Sequence, residues 1–229
     1  MRVFAWFAAC FERAVTEVAA PTSSIAMRIR RTSTLLAAAA LCTLLTGCDN
    51  PAQPKQVPGN ELTFIRAAED APPLTANQVQ VWAKAGEGRR VVISYQKVGE
   101  YGGDDCLEFK IPGDALWKRP DGTVFQKGDS ILITITVVDP ALFNFRFEPS
   151  GLQFRSDKPA ELRVSYKWAD RDFNGDGHED NDDARFNFGF WKQETDASDW
   201  IRTGTVKDVD LEELRADIHG FTKYAMAGA

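Results

Sequence analysis

The sequence is poor in the side chains that most often carry metal or acid–base chemistry. Its 229 residues include four cysteines and two histidines, and three of the cysteines (Cys10, Cys42 and Cys48) lie in or next to an N-terminal leader. The one remaining thiol, Cys106, cannot form an internal disulfide. Together with the two histidines, Cys106 supplies only three candidate ligands, too few for a four-ligand zinc cluster. Its strand-like surroundings predict a small buried side chain rather than a reactive nucleophile.

The sequence also lacks the short motifs of common catalytic sites. It contains no GxSxG, HExxH, P-loop or GxGxxG pattern. Its histidines are His178, inside an acidic run, and His219, inside a strand-like segment where we expect a packed, hydrogen-bonded side chain. A carboxylate pair for glycoside hydrolysis could be present among the acids, but sequence alone cannot place two of them at the required separation. We therefore expect the protein not to be an enzyme.

No apolar run is long enough to span a bilayer as a helix. The apolar run Leu35–Leu45 has eleven residues, follows three arginines after Met27, and ends in the tetrapeptide Leu-Thr-Gly-Cys at Cys48. This pattern resembles a bacterial lipobox, in which the cysteine is lipidated on sulfur and becomes the first residue. We predict a lipoprotein signal peptide over 27–47 and lipidation at Cys48. An ordinary secretory signal with a chance cysteine, or a twin-arginine signal, is the alternative.

Residues 1–26 do not fit such a signal. We interpret Met27 as the true start, with an extended targeting segment as the alternative. Without residues 1–47, which hold five basic and two acidic residues, the chain keeps 22 basic and 31 acidic residues, a net charge near −9. An acidic protein repels nucleic acid, so the expected partner is the lipid bilayer, contacted through acyl chains on Cys48. The predicted location is the bacterial cell envelope, either periplasmic or surface-exposed.

The remaining chain divides by composition into a tether and a β-rich domain. Residues 48–75 are rich in proline and lack an apolar period, which predicts a lipidated tether. Residues 76–229 alternate apolar and polar side chains with turn residues between the runs, which is typical of half-buried antiparallel strands. The clearest runs are 90–98, 106–112, 123–126, 129–139, 142–149, 161–168 and 185–192. We predict an all-β fold, an antiparallel β-sandwich, with one short helical turn over Asp210–Ile218.

Three ordered segments resemble the ZU-type β-sandwich domain, named for zonula occludens and netrin-receptor proteins, as it occurs in bacterial cell-surface lipoproteins. The matching residues are Ile111, Pro112, Ala115 and Leu116; Phe147, Pro149, Gly151, Leu152, Phe154, Pro159, Ala160, Leu162, Ser165 and Tyr166; and His219, Phe221, Thr222, Tyr224 and Ala225. The chain departs from the pattern at Gly220, which separates the closing His and Phe, and at 87–105, which replaces a glycine-rich strand. The resemblance implies an Ig-like or ZU-like sandwich that serves as a structural or interaction module, without catalytic residues.

The run from Asp170 to Asp183 is the most unusual part of the sequence, because seven of its fourteen residues are acidic. A register that starts at Asp172 places oxygen ligands and a glycine at the spacing of a calcium loop. It assigns side-chain ligands to Asp172, Asn174, Asp176, Asp180 and Asp183, a backbone carbonyl to His178, and the sharp turn to Gly177. The loop resembles those of thrombospondin type 3 repeats and dockerins, although it lies between predicted strands.

We predict calcium as the cofactor of this loop. A solvated, highly charged hairpin loop and a different hard cation, such as magnesium, are the alternatives. The resulting functional hypothesis is a membrane-anchored lipoprotein whose non-catalytic domain has structural or interaction roles, with a protein or glycan partner in the envelope. A carbohydrate- or peptide-binding module is the second hypothesis. Its candidate platform residues, which we expect more often to be core, are Phe143, Phe145, Trp168, Phe190, Trp191 and Trp200.

Overall fold

The computed structural model describes residues 54–173, 176–180, 188–209 and 211–229. The regular secondary structure of these residues is antiparallel strand, apart from one 3-10 turn at Gly59–Glu61. The strands are β1 Gln56–Val57, β2 Thr63–Phe64, β3 Gln78–Lys84, β4 Arg89–Ser94, β5 Asp105–Ile111, β6 Leu116–Lys118, β7 Ser130–Asp139, β8 Asn144–Glu148, β9 Gln153–Phe154, β10 Ala160–Ser165, β11 Gly189–Gln193, β12 Trp200–Arg202, β13 Val206–Asp208, β14 Glu213–Ile218 and β15 Lys223–Gly228. The predicted all-β sandwich is confirmed.

The strands form two main sheets and one small ribbon. The large sheet has the order β1-β12-β11-β15-β8-β7-β3, with β2 paired to the far end of β15. The small sheet has the order β13-β14-β10-β5-β4, and β6 pairs with β9 as a two-stranded ribbon. As far as the chain is described, neither sheet closes into a barrel, and β3 and β4 each form an edge strand.

The main core lies between the two sheets and is built by the period-two alternation of the sequence. On β7, Ile133, Ile135 and Val137 are buried, whereas Thr134 and Thr136 point to the opposite face. Aromatic rings fill the middle of this core: Phe109 and Phe147 lie 5.1 Å apart, and Phe221 lies 5.4 Å from Phe147. Residues 123–126, a predicted strand, instead form an irregular segment with a single bridge from Val124 to Lys118.

A second, smaller core lies on the outer face of the large sheet. Trp191 and Trp200 pack there against Val57 and Leu62 of the N-terminal segment, residues 56–64, and against Ala225 and Ala227 of β15. The segment crosses the sheet closely: a Cβ on Gly59 would lie 3.2 Å from the indole Nε1 of Trp200. The structure therefore places residues 56–64, which the sequence analysis assigned to a tether, in the folded domain. The sequence analysis missed this because the segment has only two buried apolar residues, Val57 and Leu62, and only four residues in strands. These are too few to produce a recognisable alternation of apolar and polar side chains.

The predicted helical turn over Asp210–Ile218 is wrong. Asp210 lies outside the described residues, and β14 occupies Glu213–Ile218, paired along its length with β10. Leu214 and Ile218 fit both a helix of period 3.6 and a strand of period two, so the short run was ambiguous. Two facts decide for the strand: Ala216 is buried between them, and Glu212 has φ +50°, which interrupts a right-handed helix.

Within the described residues, no helix has the length and apolarity needed to cross a membrane. The predicted leader over 1–47, with its lipidation site at Cys48, lies outside these residues and remains a prediction.

Candidate functional site

The acidic loop starts from a fixed point in the core. Phe173 is buried, and its ring stacks on that of Phe188 at 5.1 Å. Just before it, the backbone N–H of Asp170 donates to the carbonyl of Arg66 at 2.8 Å. Arg171, a cation next to the acidic residues, turns away and pairs with Glu212 at 2.7 Å. The chain therefore enters the loop with the side chain of Phe173 anchored in the core.

The first half of the loop is organised around Asp172. Its carboxylate accepts the backbone N–H of Asp176 at 3.0 Å and that of Gly177 at 2.8 Å. Asp176 in turn accepts the N–H of His178 at 2.9 Å. Gly177 has φ +86°, a conformation that side-chain-bearing residues rarely adopt. The sharp turn therefore falls on the glycine that the Asp172 register assigned to it.

The second half folds back onto the first through Asp180. Its carboxylate accepts the N–H of Phe173 at 3.0 Å, and its own N–H donates to the carbonyl of Arg171 at 2.9 Å. Three of the predicted ligands, Asp172, Asp176 and Asp180, thus belong to one hydrogen-bonded turn.

The remaining part of the predicted calcium set is not described. Asn174 and Asp183 lie outside the described residues, while His178 was expected to contribute only its backbone carbonyl. In 54–173, 176–180, 188–209 and 211–229, no group of three or more His, Cys, Asp or Glu side chains is arranged to hold a metal ion. The oxygen chemistry of the loop fits calcium, a hard cation that takes carboxylate and carbonyl ligands. Calcium binding therefore stays a prediction.

Cys106 is buried, as predicted, and sits where the ladder between β4 and β5 shifts register. Burial raises the pKa of its thiol from the ordinary value of 9.0 to about 11, although the hydrogen bond with Tyr95 opposes the shift. Burial also raises the pKa of the Tyr95 hydroxyl. Both groups are therefore neutral at physiological pH, and a neutral buried thiol is a poor nucleophile.

A cleft of about 920 Å³ opens at one side of the sandwich, and the sequence analysis did not find it. Its walls carry both charges, including Lys192, Arg215 and Glu161, and His219 lies at the wall as an exposed side chain rather than the packed one we expected. The charges are largely paired with their neighbours: Lys192 contacts Glu194 at 2.5 Å. The cleft joins residues from five separate parts of the chain, so no local pattern could have revealed it.

The aromatic residues weighed as a binding platform are mostly core, as expected. Phe143, Phe145, Phe190, Trp191 and Trp200 are all buried, and Trp168 is half-buried. These five buried rings cannot form a surface platform. Among the described residues, the structure instead exposes three aromatic residues that sequence reasoning passed over: Trp82 at 58%, Tyr101 at 73% and Trp117 at 40%. For Trp82 the signal was available, because it shares the parity of the polar residues Gln78 and Gln80.

Comparisons with known proteins do not assign this chain to a family: no family model, no curated protein and no solved structure matches it.

Proposed function

We propose that this protein is a membrane-anchored lipoprotein of the bacterial cell envelope, whose non-catalytic β-sandwich acts as a structural or interaction domain. We further propose that calcium braces its acidic loop. The observation that carries the calcium proposal is the turn built on Asp172, which accepts two backbone N–H groups and is followed by the left-handed Gly177. The lipobox-like run ending at Cys48 and the ZU-type segments support the anchor and the class of domain.

The physical reason for a brace is charge repulsion. Seven acidic side chains occur within the fourteen residues from Asp170 to Asp183, and like charges at this density repel one another. A divalent cation shared by several carboxylates removes that repulsion and replaces it with attraction. The loop connects the end of β10 to the start of β11, which belong to different sheets. A bound cation would therefore stabilise the connection between the two sheets.

The calcium proposal is tested by thermal unfolding of the soluble fragment 54–229. The fragment begins at residue 54 so that it keeps β1, Gln56–Val57. A cation that binds only the native state raises the unfolding midpoint as its concentration rises. At one hundred times the dissociation constant it adds about 2.7 kcal/mol to the free energy of unfolding. We expect the unfolding midpoint to rise with calcium, to rise less with magnesium, and not to rise in the presence of a chelator.

Two variants make the test specific. The double substitution Asp172→Asn with Asp176→Asn should abolish the calcium shift, because it removes two carboxylates from the turn. Asp199→Asn is the matched control: it removes an exposed carboxylate elsewhere and should leave the shift unchanged. An unshifted midpoint at millimolar calcium contradicts the calcium proposal.

The anchor is tested separately in the full chain expressed in a bacterium. Cys48→Ser should abolish incorporation of a labelled fatty acid and release the protein from the membrane fraction, because the acylated sulfur is lost. Cys42→Ser, within the predicted signal peptide, is the control and should retain both. Equal labelling of the Cys48 variant contradicts lipidation at that position.

A further inference from the structure

No described segment of the chain covers one part of the outer face of the large sheet. β3 and β7 pair so that Gln78 lies opposite Thr136, Gln80 opposite Thr134, and Trp82 opposite Leu132. We call these six side chains the open face: Gln78, Gln80, Trp82, Leu132, Thr134 and Thr136. They lie on the side of the sheet that does not contact the core, because their neighbours Val79, Ile133 and Ile135 face inward.

The open face combines an exposed indole with uncharged hydrogen-bonding groups. The side chain of Trp82 is 58% exposed and that of Leu132 is 37% exposed. Beside them, the Gln78 amide donates to the Thr136 hydroxyl at 3.1 Å and the Gln80 amide to the Thr134 hydroxyl at 3.3 Å. These bonds orient the amides and use one N–H of each. A glutamine amide has a second N–H and a carbonyl, and a hydroxyl can also donate, so each pair offers further donors and acceptors.

The open face differs in charge from the outer face of the small sheet. There, ion pairs cover the surface: Arg90 contacts Glu108 at 2.7 Å and Arg163 contacts Glu161 at 2.6 Å. The Arg90 hydrogen bond holds the pKa of the Glu108 carboxyl below its ordinary value. None of the six residues of the open face carries a charge, although the whole chain has a net charge of −6.

Three charged side chains border the open face on the same side of the sheet: Lys84 follows Trp82 on β3, and Arg146 and Glu148 lie opposite Thr136 and Thr134 on β8. The two cations are already paired, Lys84 with Glu87 at 2.6 Å and Arg146 with Asp196 at 3.3 Å. The open face itself therefore offers an indole and hydrogen-bonding groups rather than a free cation, which favours an uncharged partner over an acidic one.

The edge of β3 favours binding across the face over addition of another strand. The guanidinium Nε of Arg89 donates to the backbone carbonyl of Trp82 at 3.1 Å. That carbonyl is an edge group which an incoming strand would need. The side chain of Arg89 therefore blocks the edge at Trp82 while leaving the indole itself exposed.

We propose that the open face binds an uncharged polysaccharide, with Trp82 stacked on the apolar C–H face of a sugar ring. Stacking gains dispersion contacts and removes indole surface from water. The oriented amides of Gln78 and Gln80 and the hydroxyls of Thr134 and Thr136 hydrogen-bond the sugar hydroxyls. The inference rests on the proposed interaction role of the domain and names the class of its partner; it does not depend on calcium.

The test is affinity electrophoresis of fragment 54–229 in native gels containing laminarin, xylan or galactomannan, with a pelleting assay on cellulose. We expect retardation or pelleting by at least one of these uncharged polymers. Trp82→Ala should weaken that binding about tenfold or more, equivalent to about 1.4 kcal/mol. Gln80→Glu should also weaken it, because it places a charge on the face. Trp117→Ala, which removes an exposed indole on β6, is the control and should bind as the unmodified fragment does.

The outcomes separate this inference from the calcium proposal. Binding that survives chelator and is lost in Trp82→Ala supports the open face, whatever calcium does to the unfolding midpoint. Binding to none of the four polymers, or equal binding by Trp82→Ala, overturns the inference. Retention only by a charged polymer, or by a peptide that pairs with the β3 edge, overturns it as well. Urea unfolding of Trp82→Ala at nearly the same midpoint as the unmodified fragment shows that the variant is folded.

Discussion

The outer face of the large sheet has two halves, and tryptophan is buried in one and exposed in the other. On β11 and β12, Trp191 and Trp200 are 0% and 3% exposed, beneath the N-terminal segment. On β3, Trp82 projects from the same face and is 58% exposed. All three lie in strands and face away from the main core. What differs is whether another part of the chain covers them.

The comparison shows that strand parity alone does not decide burial. The covering segment holds β1 beside β12 and β2 beside β15, so Val57 and Leu62 lie over the indoles between them. The Trp191 indole N–H also donates to the carbonyl of Ala227 at 2.9 Å, which satisfies its polar atom inside the cover. At the other half, no described segment crosses Trp82. The first half thus contributes to stability, and the second is available for binding.

The largest expected effect is at the covered half. Trp191→Ala removes a fully buried ring and its hydrogen bond, so the free energy of unfolding should fall by about 3–5 kcal/mol. Urea unfolding of fragment 54–229 measures the loss. A loss below about 1 kcal/mol would mean that the N-terminal segment does not cover the ring in solution, and the distinction between the halves would fail.

The buried thiol of Cys106 belongs to neither half of the outer face, and its raised pKa makes the free energy of unfolding depend on pH. Because the folded pKa of Cys106 is raised to about 11 from 9.0, its neutral thiol favours the native state fully below pH 9. The contribution, about 3 kcal/mol at about 1.4 kcal/mol per pKa unit, is lost as pH rises from 9 to 11. The difference in free energy of unfolding between the unmodified fragment and Cys106→Ala should therefore be constant up to pH 8 and should become smaller above pH 9. A difference that does not change to pH 11 contradicts this.

A smaller effect is expected in the cover itself. Leu62→Ala truncates a buried side chain that contacts the covered half, so it should cost about 2 kcal/mol. It should also increase quenching of tryptophan fluorescence by acrylamide, because the cover fits less closely over Trp191 and Trp200. Val124→Ala, at an exposed position, is the control and should leave both quantities unchanged.

The smallest effect is expected at the open half. Trp82→Ala removes a largely exposed ring, so the free energy of unfolding should change by no more than about 0.5 kcal/mol. Together with lost polysaccharide binding, that result would separate a binding tryptophan from a structural one on the same sheet face. A loss as large as that of Trp191→Ala would show that Trp82 is covered too.

Much of the fold could be predicted from alternation. The runs at 106–112, 129–139 and 142–149 became β5, β7 and β8, because each carries several residues of strict period two. Short segments were less predictable. Asp210–Ile218 suited two periods, and residues 123–126 formed only a single bridge. The brief strands at 56–57 and 63–64 depend on partners more than 130 residues away in sequence. Local patterns do not record such distant pairing.

In the acidic loop, too, local patterns predicted one feature and contacts in the folded chain decided another. The glycine spacing placed the turn at Gly177, and the structure gives that residue a left-handed backbone there. The return of Asp180 to the N–H of Phe173 could not be predicted, because it depends on Phe173 being held in the core. The bulge near Cys106 and the side cleft likewise depend on pairing between strands.

By itself, the sequence determined the all-β class, the inward and outward faces of the long strands, and the place of the acidic turn. These follow from local periodicity and from the conformational freedom of glycine, which act over a few residues. Only the tertiary structure decided which outward-facing tryptophans are covered, that residues 56–64 belong to the domain, and that β14 is a strand. Each of these depends on the surface that a distant segment buries, and burial is a property of the folded chain.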